Sequence, residues 1–153
     1  MKKNNRILNI SGRVLALDFV LYGKRVRSIA VYVPHCGYSV QDLEQTYEQL
    51  RYAISDARRL HRAVIIGGDF NTVLSIGFRG ILIKQLSEEF GLRITNGTIP
   101  ESANDWTFCS SMGITRRLDY IFASHSFFVH QVGPCDILDL GSDHRVVRVV
   151  LII

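Results

Sequence analysis

Four places in this 153-residue sequence set chemically versatile side chains against apolar runs. They are Tyr32-Val33-Pro34-His35, Asp69-Phe70-Asn71, Asp119 within Arg117-Leu118-Asp119-Tyr120-Ile121, and Ser142-Asp143-His144. The stretch GGDFNTV, Gly67 to Val73, follows directly on Ala63-Val64-Ile65-Ile66, so a carboxylate and a carboxamide arrive where a buried strand ends. Two glycines there let the backbone turn. One reading is a loop that caps the strand, with Asp69 and Asn71 bonding nearby amides. The other is a site at the carboxyl edge of a sheet, where open α/β folds place their chemistry. Asp119, amid Leu, Tyr, Ile and Phe, costs free energy unless something pairs with it, and a histidine is the natural partner.

The reaction that needs such a set is attack of water on a phosphodiester. A carboxylate orients and deprotonates the water, a cationic or protonated group offsets charge on the phosphorane oxygens, and oxygen ligands hold a hard divalent cation. Asp69 can be the base, with Asn71 positioning it or the water. His144 can donate to a phosphate oxygen while Asp119 fixes its tautomer. Asp143 offers a ligand for Mg²⁺ or Mn²⁺, and Tyr32 a phenolic hydroxyl near the phosphate.

Elements that would carry these groups follow from periodicity. Residues 13–20 and 26–33 alternate and flank a glycine with two cations, which predicts an antiparallel hairpin, with Val14, Ala16 and Asp18 on one side of its first strand. Ser39 and Asp42 resemble a capping box, and Val40, Leu43, Tyr47, Leu50, Ile54, Ala57 and Leu60 recur at helical spacing, predicting a helix over 39–60. Residues 63–66 read as a strand buried on both faces. A shorter helix is expected over 81–90, ended by Gly91. Strands follow at 106–109, 118–123, 127–132 and 146–153, so the order is α/β or α+β with helices packed on a sheet.

Bulk properties narrow the class. Hydrophobic residues make up 47% and charged residues 21%, enough for one sizeable core. The net charge of +4 fits a polyanionic partner or any basic protein. Cys36, Cys109 and Cys135 are distant, odd in number and lack metal-ligand spacing, which points to a reducing, intracellular setting, the nucleus among the options. Asn9, Ser11, Gly12, Arg13 and Asp18 interrupt the N-terminal apolar run, so it does not read as a signal peptide. No segment approaches the roughly 18 apolar residues of a membrane helix.

Taken in order, Tyr32-x-Pro34, Gly68-Asp69-Phe70-Asn71, Arg117-Leu118-Asp119-Tyr120-Ile121 and Ser142-Asp143-His144 resemble the successive motifs of the endonuclease/exonuclease/phosphatase superfamily. Trp106-Thr107-Phe108 before Ser110 to Gly113, then Arg116-Arg117-Leu118-Asp119-Tyr120, is most similar to the endonuclease of LINE-type retrotransposons and to craniofacial development protein 2-like sequences. The resemblance implies a sandwich of two facing sheets of the deoxyribonuclease I type, with helices outside, and DNA as partner. It implies that Asp69 activates water, Asn71 assists, His144 contacts the scissile phosphate, Asp119 supports His144 and Tyr32 touches the phosphate. It further implies Mg²⁺ or Mn²⁺ held among Asp69, Asn71, Asp143 and His144.

The likeness covers the later part of that family's domain: residues 1–11 read as a basic tail and 12–153 as a partial domain. The family's early Asn-ending strand and its Gln-Glu pair, whose glutamate is a principal metal ligand, have no counterpart, because the only acidic residue before Tyr32 is Asp18. Asp18 or a second chain would have to supply that ligand. An apolar sheet face left bare would associate with a partner chain or with the missing half. His35 stands where abasic-site enzymes carry asparagine, and Val146 where proline commonly follows Asp-His. Alternatives therefore stand beside the endonuclease: an inactive remnant serving as a binding module, or a phosphatase of the same superfamily. Residue by residue, Asp69 and Asn71 could form only an Asx turn, and Asp119 could pair with Arg116 or Arg117. Trp106 and Phe108 could be core, and Tyr32 simple packing.

Overall fold

The computed structural model describes residues 5–74, 76–97, 105–135 and 141–152. In chain order the elements are β1 (Arg6–Asn9), β2 (Val14–Leu21), β3 (Lys24–Tyr32), α1 (Val40–Arg59), β4 (Ala63–Asp69), α2 (Gly77–Glu89), β5 (Leu92–Ile94), β6 (Phe108–Cys109), β7 (Thr115–Arg116), β8 (Asp119–Ser124), β9 (Phe128–Cys135) and β10 (Val146–Ile152).

The expected hairpin is β2–β3, joined through Tyr22 and Gly23, both at positive φ (47° and 81°), the backbone a tight two-residue turn requires. Ser39 caps α1: its hydroxyl accepts from the Asp42 amide and the Asp42 carboxylate accepts from the Ser39 amide. The α1 crossover lets β4 lie parallel to β3, while β8 runs antiparallel to β4. The result is a mixed six-stranded sheet in the order β1-β2-β3-β4-β8-β5.

One face of the sheet packs on the helices. Val14, Ala16, Ile29, Val31, Ile66 and Phe122 meet Leu43, Leu50, Ile54 and Ile83 in the main core. On the other face lies a second layer, the β9–β10 ribbon, where Leu151 packs against Val26, Ala123 and Phe127. The architecture is therefore the expected α/β sandwich of facing sheets with helices outside, its second layer narrow. Beyond the ribbon, Leu15 (46%), Leu17 (38%) and Ile7 (73%) remain exposed on the strands of the larger sheet.

Departures from the sequence reading have local causes. Residues 6–9, inside the expected tail, form β1 because Ile7 and Leu8 hydrogen-bond along β2 opposite Leu17 and Ala16. The second helix starts four residues early, at Gly77; Gly77 and Gly80 are poor helix formers and Ile76 supplies no side-chain cap, so nothing local announces the start. Strands β5 and β7, of three and two residues, are too short to show a period. The glycines of GGDFN do not turn the chain: β4 runs through both to Asp69. Gly68 is required by close approach, since a Cβ there would sit 1.9 Å from the Val31 carbonyl oxygen on β3. Gly68→Ala must push β4 off β3. The expected loss is about 1–3 kcal/mol of stability, read in urea melts, together with displacement of Asp69.

Candidate active site

Register brings the site together. In the parallel pair β3–β4, Tyr32 stands opposite Asp69; in the antiparallel pair β4–β8, Asp69 stands opposite Asp119. Residues directly opposite in a sheet share a face. Tyr32, Asp69 and Asp119 therefore form a row across three adjacent strands, on the face turned away from the helices.

Beyond Asp69 the chain is fixed by a buried ring. Phe70 is fully buried, its centroid 5.2 Å from Phe122 and 6.0 Å from Tyr120, and its amide donates to the Leu118 carbonyl. Asn71 then takes a left-handed backbone (φ 51°), which asparagine tolerates. Its amide donates to Asp69 Oδ1 at 2.8 Å, and its Nδ2 donates to the Val33 carbonyl at 2.8 Å. The Asx turn considered from sequence is thus present and serves the site: it anchors one Asp69 oxygen and leaves Oδ2 facing His144.

His144 follows β9 and precedes β10. Its amide donates to Ser142 Oγ, its backbone bridges to Phe108, and its ring lies 5.1 Å from the Phe108 ring. Nδ1 is 2.9 Å from Asp119 Oδ2, while Nε2 is 4.0 Å from Asp69 Oδ2. The first is a hydrogen bond and the second is too long for one. With Nδ1–H donated to Asp119, Nε2 is held between the carboxylates and directed at whatever occupies the gap. The pairing of Asp119 with His144 replaces the alternative with Arg116 or Arg117: Arg116 is exposed, and Arg117 is buried and donates to the carbonyls of Asn96 and Asp105.

Electrostatics follow from burial and these neighbours. Burial pushes the Asp69 carboxyl above the usual carboxylate range; the Asn71 amide opposes this and the Asp119 charge adds to it. Burial alone would lower the His144 imidazole, but the hydrogen bond and charge of Asp119, with the charges of Asp69 and Asp143, outweigh it and hold the pKa above its ordinary value.

Two supporting residues have no role assigned from the sequence, although Thr107 lies within the Trp106-Thr107-Phe108 stretch. Thr107 Oγ1 accepts from the amides of both Leu118 and Asp119 (2.9 and 3.0 Å). Buried Asn96 donates from Nδ2 to the Asp119 carbonyl (2.9 Å) and accepts from the Ile121 amide (3.0 Å), fastening both sides of the residue that orients His144.

Of the remaining expected site residues, Tyr32 is half-exposed with the Arg13 guanidinium carbon 5.6 Å from its ring, and Asp143 is exposed, its carbonyl accepting from the Cys109 amide. Trp106 lies under Arg145, whose guanidinium carbon is 4.5 Å from the ring. The donor set only partly suits a divalent cation. Asp69, Asn71 and Asp143 offer hard oxygens. However, among the described residues no three His, Cys, Asp or Glu side chains converge as such a site needs. Asp18 does not complete it: Asp18 pairs with Arg27 across β2–β3 on the helix-covered face, away from Asp69, because its side has the parity of Val14 and Ala16. Apolar neighbours on that side made a buried ion pair the stable use of the carboxylate.

Comparison with known proteins fits this geometry. The structure is similar to the 3′ phosphatase NExo from Neisseria bound to product DNA hairpin (TM-score 0.73, 19% identity, 91% of this chain and 64% of that one). It is also similar to a mannosyl-6-phosphatase from Bacteroides thetaiotaomicron (TM-score 0.68, 18% identity, 92% and 57%). A third likeness is to the endonuclease domain of TRAS1, a telomere-specific non-LTR retrotransposon (TM-score 0.66, 18% identity, 93% and 64%). Identity this low establishes a shared fold, and the chain spans less than two thirds of each of these proteins. No curated protein sequence matches it. The sequence does match the endonuclease/exonuclease/phosphatase family over residues 4–144, the span that holds every member of the Asp69–Asp119–His144 constellation, and the chain belongs to that family.

Proposed function

We propose that the chain is a phosphodiester hydrolase acting on DNA, of the retrotransposon endonuclease type and akin to craniofacial development protein 2-like sequences. The observation that carries this reading is the convergence of Asp69, Asp119 and His144, from three separate segments, on one face of the sheet, with Nε2 of His144 unspent. In the reaction, Asp69 Oδ2 takes a proton from water as the water oxygen bonds to phosphorus, the P–O bond to the leaving strand breaks, and the departing oxygen takes its proton from solvent. The Nε2–H of protonated His144 donates to a phosphate oxygen, and Asp119 holds the ring in the required orientation and favours its charge. Asn71 fixes Asp69, and Tyr32 offers its hydroxyl to the substrate. The described residues provide no complete cation cage, so no step is assigned to a metal; a requirement for added Mg²⁺ or Mn²⁺ belongs to the proposal and is measured with it.

The test is nicking of supercoiled plasmid with Mg²⁺ or Mn²⁺, with and without EDTA. Nicking by the wild-type chain that is lost in Asp69→Ala and in His144→Ala supports the reading. No nicking, or nicking indifferent to both substitutions, overturns it. A second reading, a remnant that retains the fold without activity, is favoured by the absence of a three-ligand acidic group among the described residues, and the first of those negative results would support it. Phosphomonoester hydrolysis without nicking would move the assignment to a phosphatase.

The rate should depend on pH as a bell. Acid protonates Asp69, and because its pKa is raised the rising limb lies above the ordinary carboxylate range. Alkali discharges His144, and because its pKa is also raised the falling limb lies above the ordinary imidazole range. His144→Gln should lower the rate by about 10²–10⁴-fold and abolish the falling limb. A falling limb unchanged in that variant removes His144 from the role.

A further inference from the structure

The chain leaves β4 at Asp69 and enters a loop before α2, and this loop carries Asn71, whose amide holds Asp69 Oδ1. A left-handed asparagine is not the conformation a backbone prefers, so contacts outside the loop must keep that amide in place. Tyr120 supplies one of them. It follows Asp119 in β8, so its side chain points to the opposite face of the sheet, into the core, where it is 1% exposed and its ring stands edge-on to Phe70. The ring fills core space, and phenylalanine would fill it as well. The hydroxyl does something else: it accepts from the Leu74 amide at 2.8 Å and donates to the Arg117 carbonyl at 2.9 Å. Leu74 lies a little beyond Asn71 in the chain, and Arg117 lies just before Asp119. One buried hydroxyl therefore joins the loop that presents Asn71 to the approach of the strand that presents Asp119. Ahead of Asn71, the Phe70 amide donates to the Leu118 carbonyl, so the residue is fixed from both sides. The Leu74 side chain also packs on the main core, but apolar contact sets no direction for its amide.

We propose that the Tyr120 hydroxyl is a positioning group for hydrolysis: by pinning Leu74 to Arg117 it keeps the Asn71 amide on Asp69 Oδ1, and so keeps Oδ2 aimed at the water beside His144. This rests on the phosphodiester-hydrolase reading and adds to it a residue that never meets the substrate. Buried on the helix-covered side, Tyr120 touches neither the phosphate nor the reacting water. Its contribution passes through Asn71 and consists of orientation, which a reacting group needs to within about 0.5 Å.

Tyr120→Phe removes the hydroxyl and keeps the ring. Kinetics on a deoxyoligonucleotide should show kcat lowered about 10–10²-fold with KM within about twofold of wild type, because orientation is lost and substrate contacts are not. Amide hydrogen exchange reads the clamp with no substrate present. In the wild-type chain the Leu74 and Asn71 amides should be protected; in Tyr120→Phe both should lose protection while the amides of β4 and β8 keep theirs. Ile54→Val, which trims the same core from α1, is the control for stability alone: it should lower the melting temperature and leave kcat unchanged. An unchanged kcat in Tyr120→Phe, a loss carried by KM instead, an Asn71 amide still protected in that variant, or an equal fall of kcat in Ile54→Val would each overturn the proposal. If Tyr120→Phe does not fold, exchange in the wild-type chain decides: a protected Leu74 amide supports the clamp, and one that exchanges as fast as the amides of the exposed β2–β3 turn removes it. Failure of the hydrolase reading looks different: the wild-type chain then turns over no phosphoester, whatever the exchange pattern.

Discussion

Asp69→Asn should abolish hydrolysis and stabilise the fold. On the reaction side, asparagine keeps the size of the side chain and an oxygen for the Asn71 amide, but cannot accept the proton from water. The expected loss is on the order of 10³-fold or more in kcat, within the range for removing a positioned base, with oligonucleotide binding retained. On the stability side the raised pKa sets the sign. A carboxyl whose folded pKa lies above its unfolded value favours the native state while protonated, below the unfolded pKa, and loses that contribution as pH rises through the folded value. The direction of the shift already includes the attraction of His144. Asparagine stays neutral throughout, so the variant should melt above the wild-type chain at neutral pH, and the two melting curves should converge in acid. Thermal melts at paired pH values check this beside the kinetics. A variant that is less stable at neutral pH, with activity lost, would mean that Asp69 holds the structure together and that its effect on rate is indirect.

The second large effect concerns the helix-covered face. Asp18 accepts from Arg27 Nε at 2.6 Å and Nη2 at 2.9 Å, a bidentate pair in which neither residue is more than 1% exposed. Arg27 Nη1 also donates to Asp56 and to the Ala53 carbonyl, tying the sheet to α1. Arg62 Nε lies 3.1 Å from the same Asp18 oxygen, in a geometry that leaves it a Coulomb partner and not a hydrogen-bonded one. Asp18→Ala leaves the buried Arg27 guanidinium with only Asp56 and the Ala53 carbonyl and takes from the part-buried Arg62 its carboxylate partner. The expected cost is about 3–5 kcal/mol, a large part of the stability of a small domain. Urea denaturation should place its midpoint far below that of wild type. Replacing all three charges, Asp18→Leu with Arg27→Leu and Arg62→Leu, should recover most of the loss, because the penalty comes from charge left without a partner and not from the missing pair. If Asp18→Ala unfolds at the wild-type midpoint, the ion pair contributes nothing to the fold.

What could be read in the sequence was whatever is written locally or in order along the chain. The Ser39–Asp42 capping box and the three-and-four spacing of α1 are short-range signals, and the helix matches them almost residue for residue. The parity of Val14, Ala16 and Asp18 correctly placed the carboxylate with the core, though not its partner, because hydropathy gives no reason to expect Arg27 there. Asp69, Asp119 and His144 were legible as a set only through four motifs in sequence; no single spacing implies that residues so far apart meet. Thr107 and Asn96 escaped because they act on backbone amides and carbonyls, which every residue possesses. Gly68 was recognised as special for the wrong reason, since close approach between strands and a turn both select glycine and only coordinates distinguish them.

The alignment of one reactive residue per strand has a practical side. Side chains in a strand alternate between faces, so shifting β4 by a single position against β3 and β8 would bury Phe70's neighbours wrongly and carry the carboxylate of Asp69 among the helices. Such a molecule could be compact and still inert. In refolding experiments, recovered turnover would therefore count chains whose β4 has found its proper partners, a tally that spectroscopy of total secondary structure cannot supply.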